Sequence, residues 1–342
     1  MAGITYSKAG VNLDDEHLAE KLLIKQLTFK RSGRGAFGKP LTEAGKTTGL
    51  IDFGDYALAM CTDSVGTKIR IAEAMNKWDT VGIDAIAMCV NDLIRIGAEP
   101  IAFVDYLGMD KPISAITEQI GIGLNEGARQ SNMTIIGGES AVVPGLINGY
   151  DLAGTALGFM KKSEIITSEK VKPGDAIIGI RSSGLHSNGY TLARKVVEAA
   201  GMKYSDKFGD KTIGEVLIEP TRIYVKQILN LIRNVEVHGL AHITGGGLTK
   251  LIKMNDAVGY KITDPLEPQP IFKFLQEKGK IPNGEIYRTL NMGMGFCVVL
   301  DKKNADSALQ ILNKTDESKI IGEVTKEKGV RIPKLKVKLD KF

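Results

Sequence analysis

The sequence predicts a two-domain mixed α/β protein, and three observations lead to this prediction. The chain has 342 residues, which is more than a single hydrophobic core usually serves. Its first half alternates short apolar runs with longer amphipathic segments in the order β-α-β-α-β-β. A polar stretch at 161–174 then separates this half from a second set of strands and helices. We therefore place the domains at 1–168 and 169–342.

The elements of the first domain follow from periodicity and from their end signals. Segment 15–27 has apolar residues at roughly helical spacing. Segment 82–96 is predicted to be a helix, because Gly97 and Pro100 are typical residues beyond a helix end. The other predicted elements are a glycine-rich loop at 31–40, strands at 56–62 and 101–106, a helix at 113–131, a strand at 133–136 stopped by two glycines, and a strand at 151–160.

The second domain repeats this style. A strand at 176–180 leads through a glycine-rich loop into a helix at 190–200. A helix at 221–232 precedes a second glycine-rich junction at 244–247, and a strand follows at 295–300. Helices packed on a sheet are therefore expected in both domains.

Composition excludes several classes of protein. The net charge of +5 comes from 45 basic and 40 acidic residues spread along the chain, so no nucleic-acid partner is expected. No apolar run reaches the ~18 residues of a membrane span, and the N-terminus lacks the apolar core of a signal peptide. These features predict a cytoplasmic protein without a membrane partner. Cys61, Cys89 and Cys297 lie in apolar runs and are expected to be buried free thiols.

Three acidic residues lie in or beside the predicted core elements of the first domain. Asp63 follows a buried strand, Asp92 interrupts an apolar helix, and Glu139 follows a strand and two glycines. Mg²⁺ takes a few carboxylates together with the phosphate oxygens of its nucleotide. The three carboxylates therefore suit one shared metal–nucleotide site, and Lys68 near the first of them supplies a point charge for phosphate.

Each of these features also has a plainer interpretation. Segment 62–68 has the composition of a surface turn with an acid–base pair. The helix at 82–96 could present one solvated side, on which its polar residues would lie. Those residues are Asp84, Asn91 and Arg95.

Two loops of the second domain have the composition of anion-binding loops. Segment 182–190 (SSGLHSNGY) joins a strand to a helix, where backbone N–H groups can bind phosphate. Polar residues are also good helix caps, which is the plainer interpretation of this loop. Segment 242–248 (HITGGGL) has three consecutive glycines, which capping alone does not explain. Neither loop has the G-x-x-x-x-G-K-[ST] pattern of a P-loop.

Taken together and in order, these segments resemble the aminoimidazole ribonucleotide synthetase (phosphoribosylformylglycinamidine cyclo-ligase) family. The stretches that carry the resemblance are YSKAGV, TDSVGTK, VGIDAIAMCVNDLIRIGAEP, GGES with PG, SSGLHSNGYTLARKV, PTRIYVKQIL, HITGGGL and YRTLNMGMG. They run from Tyr6 to about Gly295, and their combination is specific although each alone is weak.

The resemblance implies an architecture and a reaction. The first domains of a homodimer would pair their strands into a central β-barrel, and the C-terminal domain would be an α/β open sandwich covering the active site. The small-molecule substrate would be formylglycinamidine ribonucleotide, used with ATP and Mg²⁺. The products would be ADP, phosphate and aminoimidazole ribonucleotide.

The resemblance also implies roles for individual residues. The metal and the ATP phosphates would be held by Asp63, Asp92 and Glu139. The ATP-binding set would also include Gly66, Thr67, Lys68, Gly137 and Gly138. The catalytic set would be Asp92, His186, Lys68 and Lys25. The substrate would be lined by His186, Ser187, Asn188, Thr244, Gly245, Gly246 and Gly247.

Three features depart from the family pattern. Ser64 replaces a glycine, Val142 replaces a carboxylate, and the glycine-rich loop at 31–40 is shorter than in many relatives. Because serine has less backbone freedom than glycine, the turn after the first long strand is expected to be more restricted.

Other ATP-using enzymes of the same superfamily are alternatives. A selenophosphate synthetase would carry a reactive cysteine in the loop at 31–40, and the hydrogenase maturation protein would end in one; this chain has neither. Thiamine-phosphate kinase and the glutamine-dependent amidotransferase are further members. A non-catalytic nucleotide-binding regulator would be expected to lose acidic ligands, and all three remain here.

Overall fold

The fold was described from a computed structural model, which describes residues 4–7, 9–10, 12–29, 31, 37–42 and 48–342. Two large sheets, each with its own helices, follow one another along the chain, and a two-stranded sheet accompanies the second. This confirms the predicted mixed α/β class. Residues 32–36 of the glycine-rich loop predicted at 31–40 lie outside the described residues.

The first domain is built on a five-stranded sheet. Its elements in chain order are α1 (Leu13–Gln26), β1 (Gly49–Phe53), β2 (Tyr56–Ser64), α2 (Ile69–Met75), α3 (Val81–Ile94), β3 (Glu99–Met109), α4 (Ser114–Ser131), β4 (Thr134–Val142) and β5 (Tyr150–Lys161). The strand order is β1-β2-β5-β3-β4, with only β3 and β4 parallel. The sheet is curled, and its two edges are β1 and β4.

The two faces of this sheet differ in burial. Along β5, fully buried residues alternate with half-buried ones, because successive side chains of a strand point to opposite faces. The buried inner face packs against α3, which is itself buried on nearly all sides. Helix α4 packs closely on α3, since a Cβ added to Gly82 would lie 2.2 Å from the Leu124 nitrogen. The opposite, outer face stays partly exposed and is lined by Leu58, Met60, Val104, Tyr106, Leu157 and Phe159.

The second domain is built on a seven-stranded sheet. Its elements are β6 (Ala176–Arg181), α5 (Tyr190–Ala199), β7 (Lys207–Phe208), β8 (Lys211–Thr212), α6 (Ile213–Leu217), α7 (Val225–Asn234), β9 (Gly239–His242), α8 (Lys250–Met254), β10 (Gly259–Ile262), α9 (Pro270–Gly279), α10 (Asn283–Thr289), β11 (Met294–Leu300), α11 (Ala305–Leu312), β12 (Ser318–Thr325), β13 (Gly329–Ile332) and β14 (Val337–Leu339). The strand order is β14-β13-β10-β12-β6-β11-β9. The central strands β6 and β11 are almost wholly buried, which explains their continuous apolar runs.

Two predicted element boundaries are wrong. The strand predicted to stop at Gly137 continues to Val142, because parallel pairing with β3 extends through both glycines. The helix predicted from Thr221 begins only at Val225. Residues 219–224 are irregular instead, because side chains of the first domain hold their backbone, as described below.

The cysteines match their prediction in part. All three are free, and Cys89 and Cys297 are buried, whereas Cys61 is only partly buried. Burial raises the pKa of Cys297 to about 12, so this thiol stays protonated and unreactive at neutral pH.

Candidate active site

Three of the predicted loops meet between the two domains. The Ser187 hydroxyl, which belongs to the SSGLHSNGY loop, donates to the Val65 carbonyl at 3.0 Å in the turn after β2. The side chain of Asn188 lies over Gly245, where an added Cβ would come within 3.3 Å of the amide nitrogen. The first-domain turn and both second-domain loops therefore meet at one interdomain junction, here called the cleft. Substrate binding by Ser187, Asn188 and Gly245 stays a prediction.

The turn after β2 accommodates the unusual serine. Gly66 has a φ of +65° and is exposed, whereas Ser64 is not among the residues with positive φ. The Ser64 amide instead donates to Asp63 Oδ1 at 2.7 Å. Thr67 Oγ1 lies 3.1 Å from Thr191 Oγ1 of α5, which ties this turn to the second domain. The serine therefore causes no backbone strain here.

The TGGG loop has a conformation that requires glycine. Gly246 and Gly247 have φ values of +91° and +51°. A Cβ on Gly247 would lie 2.3 Å from the Tyr287 carbonyl oxygen, so this position excludes every other residue. Thr244 at the start of the loop is buried. The three glycines thus shape a tight backbone turn at the cleft.

Asp63, near the end of β2, and Asp92, in α3, are two carboxylates whose charges interact. Asp63 lies on the inner face of the sheet, and burial, followed by the nearby charge of Asp92, raises its pKa to about 6. Burial also disfavours the charge of Asp92, but Arg95 and His242 together hold the pKa of Asp92 well below its ordinary value. His242 Nδ1 lies 2.9 Å from Asp92 Oδ1, and Arg95 Nε lies 3.7 Å from Oδ2. Arg95 and His242 thus stabilise the charge of Asp92, whereas burial and Asp92 disfavour the charge of Asp63.

Glu139 does not join this pair within one chain. It lies in β4 opposite Tyr106, on the outer face of the sheet, whereas Asp63 shares the inner-face row of Asp105 and Gly138. Gly137 and Gly138 are exposed edge-strand residues. Among the described residues, no group of three or more His, Cys, Asp or Glu side chains is arranged to hold a metal ion. The expected convergence of three carboxylates is therefore wrong for a single chain.

Lys68 is fully buried and is occupied by protein groups. Its ammonium lies 2.9 Å from Asp84 Oδ1 and donates to the Glu219 carbonyl at 2.6 Å. Burial lowers the pKa of Lys68 and raises the pKa of Asp84, while their mutual attraction opposes both shifts. Nothing in this placement supports the predicted contact with phosphate, and the pairing of Lys68 with Asp63 in a surface turn is wrong.

The polar residues of α3 face the second domain and not solvent. Asp84 Oδ1 accepts from both the amide and the hydroxyl of Thr221, at 2.7 and 2.6 Å. The Asn91 amide donates to the Arg222 carbonyl at 2.8 Å and accepts from the Tyr224 amide at 3.0 Å. Asp84 and Asn91 are fully buried, so their placement on a solvated side was wrong. Their hydrogen bonds to the backbone of segment 219–224 keep this segment irregular, so the helix does not begin there.

His186 is buried with one ring nitrogen unpaired. Its Nε2 accepts from the Ser183 amide at 3.2 Å, so the hydrogen of the neutral ring lies on Nδ1. Nδ1 has no hydrogen-bond partner among the described residues. Burial, followed by the charges of His242, Lys68 and Arg222, lowers the pKa of His186 well below its ordinary value. A neutral N–H donor is therefore available for a ligand.

Lys25 lies in the last turn of α1 and is exposed. The structure gives it no contact with the carboxylate pair or the glycine loops, so its catalytic role stays a prediction.

Two further side chains near Asp92 were not predicted as site residues. His242 directly precedes the TGGG loop, and Lys250 follows it by three residues. Their positions beside a glycine-rich loop were the available signal, although only the fold shows that both lie near Asp92.

One cavity of the described residues lies elsewhere. It measures about 630 Å³ and is lined by residues such as Phe159, Arg233 and His238 at the domain junction. It adjoins the Tyr56 end of β2, and Asp63 lies at the other end of the same strand. None of the predicted site residues lines this cavity, so the cleft between the loops remains the candidate active site.

Comparison with domain families defines the class of the protein. Residues 45–160 match the AIR synthase related protein N-terminal domain, and residues 172–334 match the C-terminal domain of the same description. No helix in the described part of the chain has the length and hydropathy to cross a membrane. The chain is thus a two-domain AIR synthase related protein. The predicted boundary after residue 168 falls between the two matches and stays a prediction.

Comparison with curated relatives narrows this class. The chain is 51% identical to phosphoribosylformylglycinamidine cyclo-ligase of Methanosarcina mazei, over 97% of this chain and 98% of the relative. It is 48% identical to the enzyme of the same name from Thermococcus kodakarensis, over 98% of this chain and all of the relative. The chain therefore belongs to the phosphoribosylformylglycinamidine cyclo-ligase family, which are ligases of purine biosynthesis.

Solved structures confirm the fold alone. Thiamine-monophosphate kinase from Stenotrophomonas maltophilia is 17% identical with a TM-score of 0.62, covering 95% of this chain and 96% of that chain. The hydrogenase maturation protein HypE in complex with ATP is 19% identical with a TM-score of 0.58, covering 83% of this chain and 80% of that chain.

Proposed function

We propose that this chain closes the imidazole ring of aminoimidazole ribonucleotide from formylglycinamidine ribonucleotide, with ATP converted to ADP and phosphate. The observation that carries the proposal is the Asp63–Asp92 carboxylate pair, which borders the same interdomain cleft as the HSN and TGGG loops. Carboxylates suit the metal of a nucleotide, and glycine-loop N–H groups suit phosphate.

The chemistry explains why ATP is needed. Ring closure joins a nitrogen of the amidine to the formyl carbon and removes the formyl oxygen. An amide carbonyl is a poor electrophile, and hydroxide is a poor leaving group. Attack of the formyl oxygen on the γ-phosphorus expels ADP and gives an imidate-like carbon bearing a phosphate ester. The nitrogen then attacks this carbon, phosphate leaves, and loss of a proton gives the aromatic ring.

Asp63 and Asp92 fit a Mg²⁺ ion that accompanies the nucleotide. The fit rests on the buried, destabilised charge of Asp63 beside a second carboxylate, which a divalent cation would relieve. When bound, the ion would neutralise charge on the phosphates during transfer. His242 and Arg95 hold Asp92 ionised and oriented, so this chain presents a fixed carboxylate to the cleft.

The second-domain loops would bind and orient the substrate. His186 offers the unpaired Nδ1–H, and Asn188 offers a buried side-chain oxygen without a partner among the described residues. Because phosphoryl transfer depends mostly on positioning and charge stabilisation, these neutral groups suffice without a covalent nucleophile. Roles for Lys25 and Glu139 rest on the family resemblance alone.

The mechanism is tested by following the formyl oxygen. With ¹⁸O in the formyl group, one labelled atom should appear in inorganic phosphate for each ring closed. A parallel reaction of unlabelled substrate in ¹⁸O-water should leave the phosphate unlabelled. Ring product formed with the label released to water would overturn the proposed activation step.

We also propose that the chain acts as a homodimer that pairs the curled first-domain sheets. The support is the outer face, where the side chains of Met60, Val104 and Tyr106 are 51%, 39% and 36% exposed. Such an apolar face beside the open edge strand β4 is usually covered by a partner.

A further inference from the structure

Lys250 is a half-buried cation without an anionic partner. It begins α8 directly after the TGGG loop and its short helical turn, and its Cε lies 3.9 Å from a Cβ built on Gly246. No carboxylate or hydrogen-bond acceptor among the described residues lies within bonding distance of its ammonium. A charge taken out of water in this way is costly unless a counter-charge is supplied.

Two further basic side chains lie close to Lys250. The Lys250 and Lys253 ammonium groups lie 5.2 and 4.7 Å from the centre of one ring, that of Phe342. The ring attracts each cation, but the two cations repel each other. Arg95, which directly follows α3, is a third positive group nearby, although it is itself paired with Asp92.

The acidic groups nearby are already engaged or distant. Asp92 is bonded to His242 and is paired with Arg95. Asp63 and Glu20 act on these lysines only through space. Burial, partly offset by Asp92, lowers the pKa of Lys250, which agrees with a missing close counter-ion.

We propose that Lys250 binds a phosphate group in the cleft, and that it, and not Lys68, is the lysine that contacts a phosphate of the reactants. The proposal rests on the proposed function. Two ligands could supply this phosphate group: the nucleotide, through its phosphates, and the substrate, through its ribose phosphate. Phe342 would hold the Lys250 side chain in position when no phosphate is bound.

The test replaces Lys250 by Met and, separately, by Arg. Calorimetry measures the binding of Mg-ADP and of formylglycinamidine ribonucleotide to each variant. Loss of a charge-assisted hydrogen bond should weaken one of the two ligands about 10- to 100-fold in Lys250→Met. Lys250→Arg should keep that affinity within about 3-fold, because it retains the charge. The ligand that is weakened identifies the source of the phosphate.

Two controls separate this role from folding. Lys273→Met removes an exposed lysine of α9, whose side chain is 79% exposed, and should change neither affinity. Lys250→Met should unfold at a temperature no lower than the parent does, because the variant no longer carries a half-buried charge without a close counter-ion. Unchanged binding of both ligands in Lys250→Met would overturn the proposal. Because calorimetry measures binding and not turnover, failure of the Lys250 proposal can be distinguished from failure of the proposed function, in which the parent enzyme would not close the ring.

Discussion

At the scale of single residues, His186 shows how burial fixes chemistry. It has a φ of +67°, which is unusual for a residue with a side chain, and such positions are concentrated at functional sites. Its hydrogen bond from Ser183 fixes the tautomer, and burial keeps the ring neutral. The residue is therefore suited to donate one hydrogen bond and unsuited to accept a proton near neutral pH.

His186→Gln is expected to leave the shape of the pH profile of kcat/KM unchanged between pH 6 and 9, while lowering its height. The physical reason is that the pKa of His186 lies well below 6.5, so His186 does not titrate in this range. Steady-state kinetics across the range is the measurement. An ionisation that disappears from the profile of the variant would show that His186 transfers a proton.

The same group should affect stability in acid. The unfolded chain binds a proton at His186 near pH 6.5, whereas the folded protein does not, so stability is retained above this pH and falls below it. The slope from one such group is at most about 1.4 kcal/mol per pH unit. Denaturant unfolding at pH 7, 6 and 5 should therefore show that the free energy of unfolding falls less steeply with decreasing pH in His186→Gln than in the parent. Equal slopes would contradict a depressed pKa.

Residue types at loops were easier to predict from the sequence than their partners. The composition and neighbours of Ser187, Asn188 and the TGGG glycines point to loops, and the structure brings these loops together. Their contacts with substrate stay a prediction. The ion pair of Lys68 with Asp84 was not predicted. Asp84 lies in α3, beyond α2, and its side chain was expected to be exposed to solvent. Side-chain pairing across domains has no local signal in a single sequence.

At the scale of elements, α3 does more than fill the first domain. Its apolar sides are buried against the sheet and α4, and its polar residues Asp84 and Asn91 bond to segment 219–224. That segment in turn accepts a hydrogen bond from Ser183 through the Pro220 carbonyl. One helix of the first domain therefore positions, through segment 219–224, the SSGLHSNGY loop of the second.

The buried Lys68–Asp84 pair should show strong coupling in a double-mutant cycle. Asp84→Asn should cost about 3–5 kcal/mol, because it leaves a buried ammonium without its counter-charge. Adding Lys68→Met should recover part of this, so the double variant loses about 1–3 kcal/mol less than the sum of the single variants. Denaturant unfolding of the four proteins measures the coupling.

An exposed pair supplies the control for this cycle. Lys77 and Asp79 are 47% and 41% exposed and should couple by no more than about 1 kcal/mol.

Lys68→Met should also leave the KM for ATP near that of the parent if Lys68 is structural. Additive losses at Lys68 and Asp84, together with a raised KM for ATP, would restore Lys68 to the phosphate-binding role that the resemblance implies.

At the scale of the whole molecule, the sequence predicted the mixed α/β class but not the full length of strand β4 in the first-domain sheet. Strand β4 was predicted to end at its glycines, yet it continues along β3 because Gly138 leaves room for Asp105, whose Oδ1 would lie 2.3 Å from an added Cβ. This extension places Glu139 on the outer face, away from Asp63. Which face a residue occupies depends on strand register, and local composition does not reveal register.

The outer face leads to the last prediction, which concerns assembly. Light scattering at micromolar concentration should give about twice the chain mass of 36.9 kDa. Val104→Glu places a charge on the face that we expect to be covered, so it should shift the protein toward monomer. Ile122→Glu on α4 is the matched control, since Ile122 is 57% exposed on a helix that packs on the other side of the sheet. A fully active monomer of the parent protein, or equal masses for both variants, would show that this face stays open to solvent.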